Sequence, residues 1–344
     1  MLPLYANLVA FAALAAAVWF AGTRLSYLAD ALGARIGVGH AIMGFLFLAA
    51  LTELPELVTT VAAAVQGDAA LALNNMFGGI TMQTAILAVA DAVAVGATLT
   101  AFPRKPTTML EAAFLILLLA GTLLAIQLGD TVVVLKIGGG VLLLALGYAL
   151  AAYLVTAQDE DDAGRPVARE APKHGQDRWV QQFRALSLRE LALQSAGAAL
   201  VILVCGVLLV EVAQAIADQS GLGSSFVGAT LLATSTSLPE LSTTIAAVRM
   251  HAYSMAISNI FGSNLIMLLV LLPADLLYRD GAILREAGPS ARLALLFGIL
   301  VTAVYLIGLI IKKKPRYFGM GVDSITVLVL YAISLVALYS VRGP

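Results

Sequence analysis

The sequence has little charge, little cysteine and little histidine, and each shortage excludes a class of protein. Only 12% of its 344 residues are charged, while 60% are hydrophobic. This charge content is about half that of an ordinary soluble domain. The formal net charge of −1 offers no basic face to a nucleic acid, and the single cysteine, Cys205, cannot form an internal disulfide. The composition is typical of a membrane protein, so the lipid bilayer is its first expected partner.

The hydrophobic residues form runs of about 20 residues, the length that a helix needs to cross the bilayer core. The first run has no basic segment before it and no small-residue cleavage site after it, so we expect a span and not a removable signal peptide. We predict an all-α membrane protein with ten transmembrane helices. The expected spans are 4–23, 38–66, 69–92, 107–128, 131–155, 190–217, 223–248, 252–277, 291–311 and 323–341.

The positions of lysine and arginine predict the orientation of the chain. With the N-terminus outside, fifteen of the 20 basic residues fall in cytoplasmic loops. Cytoplasmic loops of membrane proteins carry such an excess of basic residues. We therefore predict a multi-pass protein of the plasma (cell inner) membrane, with both the N-terminus and the C-terminus outside.

The two halves of the sequence are related to each other. A shift of 184 residues aligns GVGHAIMGFLFLAALTELPELVTTVAA, which starts at Gly37, with GLGSSFVGATLLATSTSLPELSTTIAA, which starts at Gly221; 14 of 27 positions are identical. The same shift aligns Asp91 with Asp275. Each half has five spans, an odd number, so the two copies must cross the membrane in opposite directions. Inverted repeats of this kind are typical of alternating-access transporters, whose binding site lies between the repeats near the midplane.

The repeat predicts how the chain is divided. We expect a first five-helix repeat at 1–155, a cytoplasmic linker at 156–188 and a second five-helix repeat at 189–344. The linker contains the acidic string DEDD at 159–162 and a mixture of basic and polar residues, which is typical of a solvated segment. It is too short and too mixed to predict a calcium-sensing domain.

Four carboxylates stand out inside the predicted spans: Glu53, Glu56, Glu211 and Glu240. A carboxylate at a helix centre costs ~2.5–3.5 kcal/mol on insertion scales. Glu56 and Glu240 are repeat mates, and each follows Leu-Pro in the middle of its span. The proline removes one helical hydrogen bond and frees a carbonyl one turn earlier, and such carbonyls can bind a cation in a shielded cavity. Glu211 lies near a span end, where an access-path role and an interfacial position are both open.

Neutral oxygen donors lie close to these glutamates in the sequence. The hydroxyls of Thr52, Thr236 and Ser237 are within one turn of them, and the paired amides Asn75 and Asn259 are predicted to coordinate the ion or to orient a glutamate. A group of hard oxygens with two or three carboxylates suits Ca²⁺ and also Na⁺. The three histidines lie at predicted span ends or in the linker, so no soft-metal site is expected in the membrane. Inorganic cations are the expected partners, and no resident cofactor is predicted.

The doubled Leu-Pro-Glu-Leu motif resembles the cation/calcium antiporter superfamily. Its sodium/calcium exchangers carry two inverted repeats, each with a Ser-Leu-Pro-Glu-Leu core followed by Gly-Ser-Asn. The second repeat here, ATSTSLPELSTT and then NIFGSN, matches closely, and the first, ALTELPELVTT and then NNMFGG, matches less well. The resemblance covers residues 37–92 and 221–276. It implies a ten-helix fold, a central cation site and exchange of Ca²⁺ for Na⁺ or, in related branches, for H⁺.

The resemblance also implies roles for particular positions. It places the first and sixth spans, 4–24 and 190–217, as the helices that slide past the others to alternate access. It implies oxygen ligands for the cation at six positions: Glu56, Glu240, Thr52, Thr236, Ser237 and Ser263.

The sequence departs from the exchanger pattern at two positions. One turn after the Gly-Ser-Asn serine, exchangers usually have Asn or Asp, but Gln83 and Met267 occupy these positions here. The second repeat thus loses an oxygen ligand, while Gln83 is a candidate ligand in the first. Conversely, Glu53 replaces the serine expected three residues before the first-repeat glutamate. The predicted metal-binding carboxylates are therefore Glu53, Glu56 and Glu240.

These observations favour a secondary antiporter, not an enzyme, that exchanges Ca²⁺ or a similar divalent cation for Na⁺. A Ca²⁺/H⁺ antiporter stays open, because three clustered carboxylates cannot all remain ionised without a cation. A cation channel is disfavoured because no segment resembles a pore loop, and an enzyme because neither HExxH nor Gly-x-Ser-x-Gly occurs. A non-transporting ion-binding protein stays open if Met267 abolishes exchange.

Overall fold

The hydrophobic runs fold as long helices in the computed structural model of the chain, which describes residues 3–93, 98–103, 106–134, 137–163, 178–220, 233–311 and 315–341. The first half contains α1 Leu4–Ile36, α2 His40–Thr52, α3 Leu54–Val65, α4 Ala69–Val93, α5 Thr107–Leu128, β1 Val132–Val134, β2 Ile137–Gly138 and α6 Gly139–Ala163. The second half contains α7 Arg178–Arg184, α8 Leu188–Ser220, α9 Ala233–Thr236, α10 Leu238–Arg249, α11 Tyr253–Leu277, α12 Pro289–Ile310, β3 Arg316–Tyr317, β4 Met320–Gly321 and α13 Val322–Ser340.

The helices of the two halves pair by length. α1 and α8 have 33 residues each, α3 and α10 have 12, α4 and α11 have 25, and α5 and α12 have 22. A short antiparallel hairpin, β1–β2 or β3–β4, precedes the last long helix of each half. The internal repeat, which the sequence reveals as far as Asp91 and Asp275, thus continues in the structure beyond these residues.

Seven helices in the described part of the chain are long and apolar enough to cross a membrane, and α2 with α3 forms an eighth span bent by 48°. The count of ten spans is not confirmed over these residues. The seventh predicted run, 223–248, lies partly outside the described residues. The third predicted run, 69–92, folds as helix α4. The prediction of an all-α membrane fold is confirmed, with the two hairpins as small additions.

Helix α11 lies at the centre of the bundle, and α1 lies at its edge. Within an apolar stretch of 18 residues in each helix, 67% of the α11 residues are buried, against 11% of the α1 residues. The π-helical segment of α2, Met43–Leu48, packs closely against α11. Gly44 and Gly262 make this approach feasible, because a Cβ atom on either residue would lie 2.4 Å from a backbone oxygen of the other helix. The close contact fixes the broken helix of the first repeat against the second repeat.

The predicted linker is more structured than expected. α6 continues to Ala163, and α7 packs on α1 through Phe183, which is buried with Leu28 and Leu191. The Arg184 guanidinium lies 3.0 Å from the Asp30 carboxylate. The expectation of a solvated segment is therefore wrong at Phe183, where α7 buries an aromatic side chain against α1; the start of the linker only extends α6 as helix. Residues 164–177 lie outside the described residues.

Two repeat-mate aspartates join the halves of the molecule. Asp91 accepts hydrogen bonds from the backbone N–H of Leu99 and, at 2.7 Å, from that of Gly321 in the other repeat. Asp275 accepts them from Ile283 at 2.6 Å and from Gly138 of the first repeat at 2.7 Å. Each aspartate thus caps the residue before the last long helix of the opposite repeat. We call this reciprocal pair the aspartate clasp, and it gives both residues a structural role.

Candidate cation site

The Leu-Pro-Glu-Leu motifs create a break in one helix of each repeat. Glu53 separates α2 from α3 with φ −77° and ψ 0°, and Ser237 separates α9 from α10 with φ −86° and ψ 6°. Pro55 and Pro239 stand in the first turn after the breaks. A proline suits the first helical turn and removes one hydrogen bond of a continuous helix. The two motifs therefore place matching irregular backbone within the bundle.

Three carboxylates are buried at these breaks. Glu53, Glu56 and Glu240 are at most 3% exposed, and Glu56 interacts electrostatically with both of the others. Among the described residues, no hydrogen-bond donor reaches either oxygen of Glu56, either oxygen of Glu240 or Oε2 of Glu53. Burying carboxylate oxygens without a partner is strongly unfavourable. Oxygens in this position offer ligands to a cation, and they come from both repeats.

Two side chains of the site join Glu53 to the long helices. Gln83 Nε2 on α4 donates a hydrogen bond to Glu53 Oε1 at 2.6 Å. The Ser263 hydroxyl on α11 lies beside Glu53 and 3.5 Å from the Thr52 hydroxyl. Thr52 in turn lies beside Glu240 of the other repeat. The structure therefore brings these predicted oxygen donors to the carboxylates.

The second break supplies the remaining predicted hydroxyls. Thr236 ends α9 and Ser237 occupies the break itself, and both are buried. They are the repeat mates of Thr52 and Glu53. The two breaks thus present the same kind of polar backbone segment, with a carboxylate in the first and a hydroxyl in the second.

The predicted amides have different surroundings. Asn259 is buried on α11 and donates from Nδ2 to the hydroxyls of Thr243 at 3.0 Å and Thr244 at 3.2 Å. Asn75 is half-buried on α4, two helical turns before Gln83. In the described part of the chain, no hydrogen bond joins either amide to one of the three glutamates. Asn259 instead braces α10, which carries Glu240.

An apolar side chain stands where the first repeat has the Gln83 amide. Met267 is 1% exposed, and its Cε atom would lie 2.7 Å from a Cβ atom added to Gly79. Gly79 is the repeat mate of Ser263, and Met267 is the repeat mate of Gln83. The glycine leaves the space that the methionine fills.

A further buried carboxylate was not among the predicted functional residues. Glu111 on α5 is fully buried and accepts a hydrogen bond at 2.8 Å from the hydroxyl of Ser258 on α11. Ser258 precedes Asn259, so this contact lies beside the amide that braces α10. The sequence signal for Glu111 is that it is the lone acidic residue within the apolar run 107–128.

The carboxylates do not form a complete metal cage alone. Within the described ranges, no three His, Cys, Asp or Glu side chains converge closely enough to hold a metal ion. Ca²⁺ takes six to eight oxygen ligands. Hydroxyl, amide and backbone oxygens would therefore have to complete the coordination of a bound cation.

Comparison with known proteins identifies relatives of this chain. The family model described as "Sodium/calcium exchanger protein" matches residues 6–157 and 191–340. The inner membrane protein YrbG of Escherichia coli (strain K12) is 27% identical over 271 residues, which are 77% of this chain and 78% of YrbG.

Solved structures of the sodium-calcium exchanger NCX_Mj have the same fold. One, soaked with 10 mM Na⁺ and zero Ca²⁺, gives a TM-score of 0.70 at 16% identity and covers 99% of this chain and all of NCX_Mj. Another, soaked with 2.5 mM Na⁺ and 1 mM Sr²⁺, gives 0.71 at 16% identity over the whole of both chains. The family match spans both repeats and most of the sequence. The chain belongs to the sodium/calcium exchanger family.

Proposed function

We propose that the protein is a secondary active antiporter that exchanges Ca²⁺, or a similar divalent cation, for Na⁺ by alternating access. One observation carries the proposal: Glu53, Glu56 and Glu240 are buried at the two helix breaks, Glu56 interacts electrostatically with the other two, and five of their six carboxylate oxygens have no hydrogen-bond donor in the described part of the chain. Membership of an exchanger family supports it, as does the fold shared with NCX_Mj, which is named a sodium-calcium exchanger.

The chemistry of the donors favours a hard cation. In this proposal the three glutamates are the charged ligands. Neutral oxygens complete the coordination shell of the cation. They come from four hydroxyl and three amide side chains: Thr52, Thr236, Ser237, Ser263, Gln83, Asn75 and Asn259. Carboxylates with neutral oxygens suit Ca²⁺, and Na⁺ binds in the same kind of pocket.

The arrangement of the repeats supports alternating access. The proposal divides the chain into repeats at 1–155 and 189–344 with a cytoplasmic linker at 156–188, and it places both termini outside the plasma (cell inner) membrane. The site lies between the broken helices of opposite repeats, where inverted-repeat transporters bind their ions. In this mechanism α1 and α8, the packed first helices of the two repeats, slide against the others.

Proton coupling is the second candidate. It is favoured by the replacement of a neutral donor with Glu53 and of an oxygen donor with Met267. Three carboxylates in one buried site favour binding of a proton when no cation is present. A Ca²⁺/H⁺ antiporter would use the same glutamates and would need no sodium.

Transport by purified protein distinguishes the two. Proteoliposomes are loaded with Na⁺, or carry a pH gradient with Na⁺ absent, and ⁴⁵Ca²⁺ uptake is measured. The Glu240→Gln variant should abolish uptake, because it removes a charge from the site while keeping the side-chain shape. Glu286→Gln is the matched control, since Glu286 is an exposed carboxylate between α11 and α12, and it should retain uptake.

Each result has a defined meaning. Uptake driven by the sodium gradient alone supports Na⁺/Ca²⁺ exchange, and uptake driven by the pH gradient alone supports the proton-coupled alternative. Absence of uptake under both gradients, with correctly folded protein, would overturn the calcium assignment.

A further inference from the structure

A groove of about 780 Å³ opens between α1 and α8, with α7 forming its rim. Its wall includes Phe20 on α1 and Gly197 on α8, while its rim includes Arg24, Tyr27, Phe183 and Gln194. The volume lies in the range of small-molecule binding sites. The groove is built by the first helices of the two repeats, so it is separate from the carboxylates at the helix breaks.

The groove lies where the apolar surface of α1 ends. Large hydrophobic residues of α1 are exposed at Leu4, Tyr5, Leu8 and Val9 and again at Phe20, which is 74% exposed. One turn later comes the exposed Arg24, and Tyr27 follows. Arginine and aromatic residues in this position mark the boundary between hydrocarbon and headgroups. The groove therefore has an apolar part at the depth of acyl chains and a cationic part at the depth of headgroups.

The Arg24 guanidinium is held by neutral groups. It donates to Gln194 Oε1 at 2.8 Å and lies 5.5 Å from the centre of the Phe183 ring. Phe183 is in turn stacked on Tyr27, with 5.7 Å between ring centres. Among the described residues, no carboxylate lies within ion-pair distance of Arg24. The positive charge is thus positioned and available to an anion.

We propose that this groove binds one anionic phospholipid. Its acyl chains lie along the wall between Phe20 and Gly197, and its phosphate accepts hydrogen bonds from Arg24. The planar guanidinium suits a phosphate group, which it can contact with two parallel N–H groups. Basic pockets between transmembrane helices bind anionic headgroups in this way.

The lining favours an anionic headgroup over a zwitterionic one. No Asp or Glu lines the groove in the described part of the chain, so the ammonium group of a zwitterionic lipid finds no acidic partner. The face of Phe183, which could attract an ammonium group, is already occupied by Arg24. Charge complementarity thus selects the lipid class.

Native mass spectrometry of the delipidated full chain tests this assignment. The dissociation constants of palmitoyl-oleoyl phosphatidylglycerol and of the matching phosphatidylcholine are measured for wild type and variants. We expect wild type to prefer phosphatidylglycerol by about tenfold, the size of one charge-assisted hydrogen bond. Arg24→Gln should remove this preference, whereas Arg24→Lys should keep it within about threefold, since lysine also binds phosphate as a point charge.

Two matched controls separate the groove from general effects. Arg189→Gln removes an exposed charge from α8 outside the groove, and it should leave the preference unchanged. Gly197→Leu fills the groove, because an added Cβ there meets no atom within 4 Å, and it should abolish tight binding of both lipids. Gly121 on α5 has equally open surroundings, so Gly121→Leu should leave binding unchanged.

Three outcomes would overturn the proposal. Equal binding of the two lipids by wild type would exclude an anionic site. A preference that survives Arg24→Gln would place the phosphate elsewhere. Binding that survives Gly197→Leu would show that lipid does not occupy the groove, as expected if another segment of this chain covers it. If Arg24→Gln does not fold, Arg24→Lys and Gly197→Leu still decide the question.

Discussion

The two repeats match in backbone and differ in three side chains around the cation site. The first repeat has a carboxylate at the helix break, an amide that donates to it, and a glycine; the second has two hydroxyls and a thioether. The three mate pairs are Glu53 and Ser237, Gly79 and Ser263, and Gln83 and Met267. The difference shows that the inverted repeat conserves the breaks and their glutamates, while the supporting donors are divided unequally.

The inequality has a consistent physical pattern. Met267 removes an oxygen donor from α11, and Glu53 adds a carboxylate to the α2–α3 break. Gly79 gives Met267 the space that a serine would occupy, and Gln83 donates to the added carboxylate. Negative charge is therefore concentrated on the first repeat at this level of the site. The predictions below test whether the repeats are equivalent where they match and unequal where they differ.

The largest effect is expected where the repeats are the same. Glu56→Gln and Glu240→Gln should each lower ⁴⁵Ca²⁺ uptake by at least about 100-fold, because each removes a charged ligand whose oxygens have no alternative donor among the described residues. Initial uptake rates in proteoliposomes measure this. A large loss in only one of the two variants would show that the matching glutamates have different roles.

The next effect tests Glu53, the carboxylate that the first repeat has at its helix break. Glu53→Ser should lower uptake by about 10- to 100-fold, because it removes one charged ligand and leaves the Gln83 amide without its acceptor. Adding Met267→Asp, which returns a carboxylate to α11, should restore part of the loss. Met267→Leu is the control, since it keeps the volume without an oxygen. Equal uptake by Glu53→Ser/Met267→Asp and Glu53→Ser/Met267→Leu would show that a carboxylate on α11 cannot replace the Glu53 carboxylate.

The aspartate clasp gives a smaller difference, in stability. Asp91 also accepts a hydrogen bond at 2.8 Å from Ser324, so it has one donor more than the two described for Asp275. Asp91→Ala should therefore lower the free energy of unfolding more than Asp275→Ala, because it removes three hydrogen bonds to a carboxylate instead of two, each worth about 1.5–3 kcal/mol. Thermal unfolding in detergent compares them. Asp280→Ala is an exposed control, and equal losses at Asp91 and Asp275 would contradict the ranking.

The smallest effect concerns the space over Gly79. Gly79→Ser should lower the free energy of unfolding by about 1 kcal/mol, because the new Cβ meets Met267 Cε, the far end of a flexible side chain that can partly move away. The loss should shrink in the Met267→Ala background, which a double-mutant cycle measures. Gly78→Ser is the control, since a Cβ at Gly78 meets no atom within 4 Å. A loss that is the same in both backgrounds would mean that Met267 does not occupy this space.

The sequence predicted the features that depend on covalent structure and repetition. The 184-residue repeat indicated the inverted fold, and the Leu-Pro-Glu pattern predicted breaks next to buried carboxylates. The contacts of Gln83 with Glu53, of Met267 with Gly79 and of Ser258 with Glu111 could not be predicted, because they depend on how separate helices pack. The helical ends of the linker were missed for a related reason: the apolar face of α7 becomes evident only when α1 lies against it.

The aspartate clasp has a consequence for the history of the molecule. Each half presents a buried N–H group, at Gly138 or Gly321, to the aspartate of the other half, and burying such a donor without an acceptor is strongly unfavourable. A single ancestral half could make the same contacts as an antiparallel homodimer, in which each subunit capped the other. Duplication and fusion of the gene would then have fixed within one chain an assembly that previously depended on protein concentration.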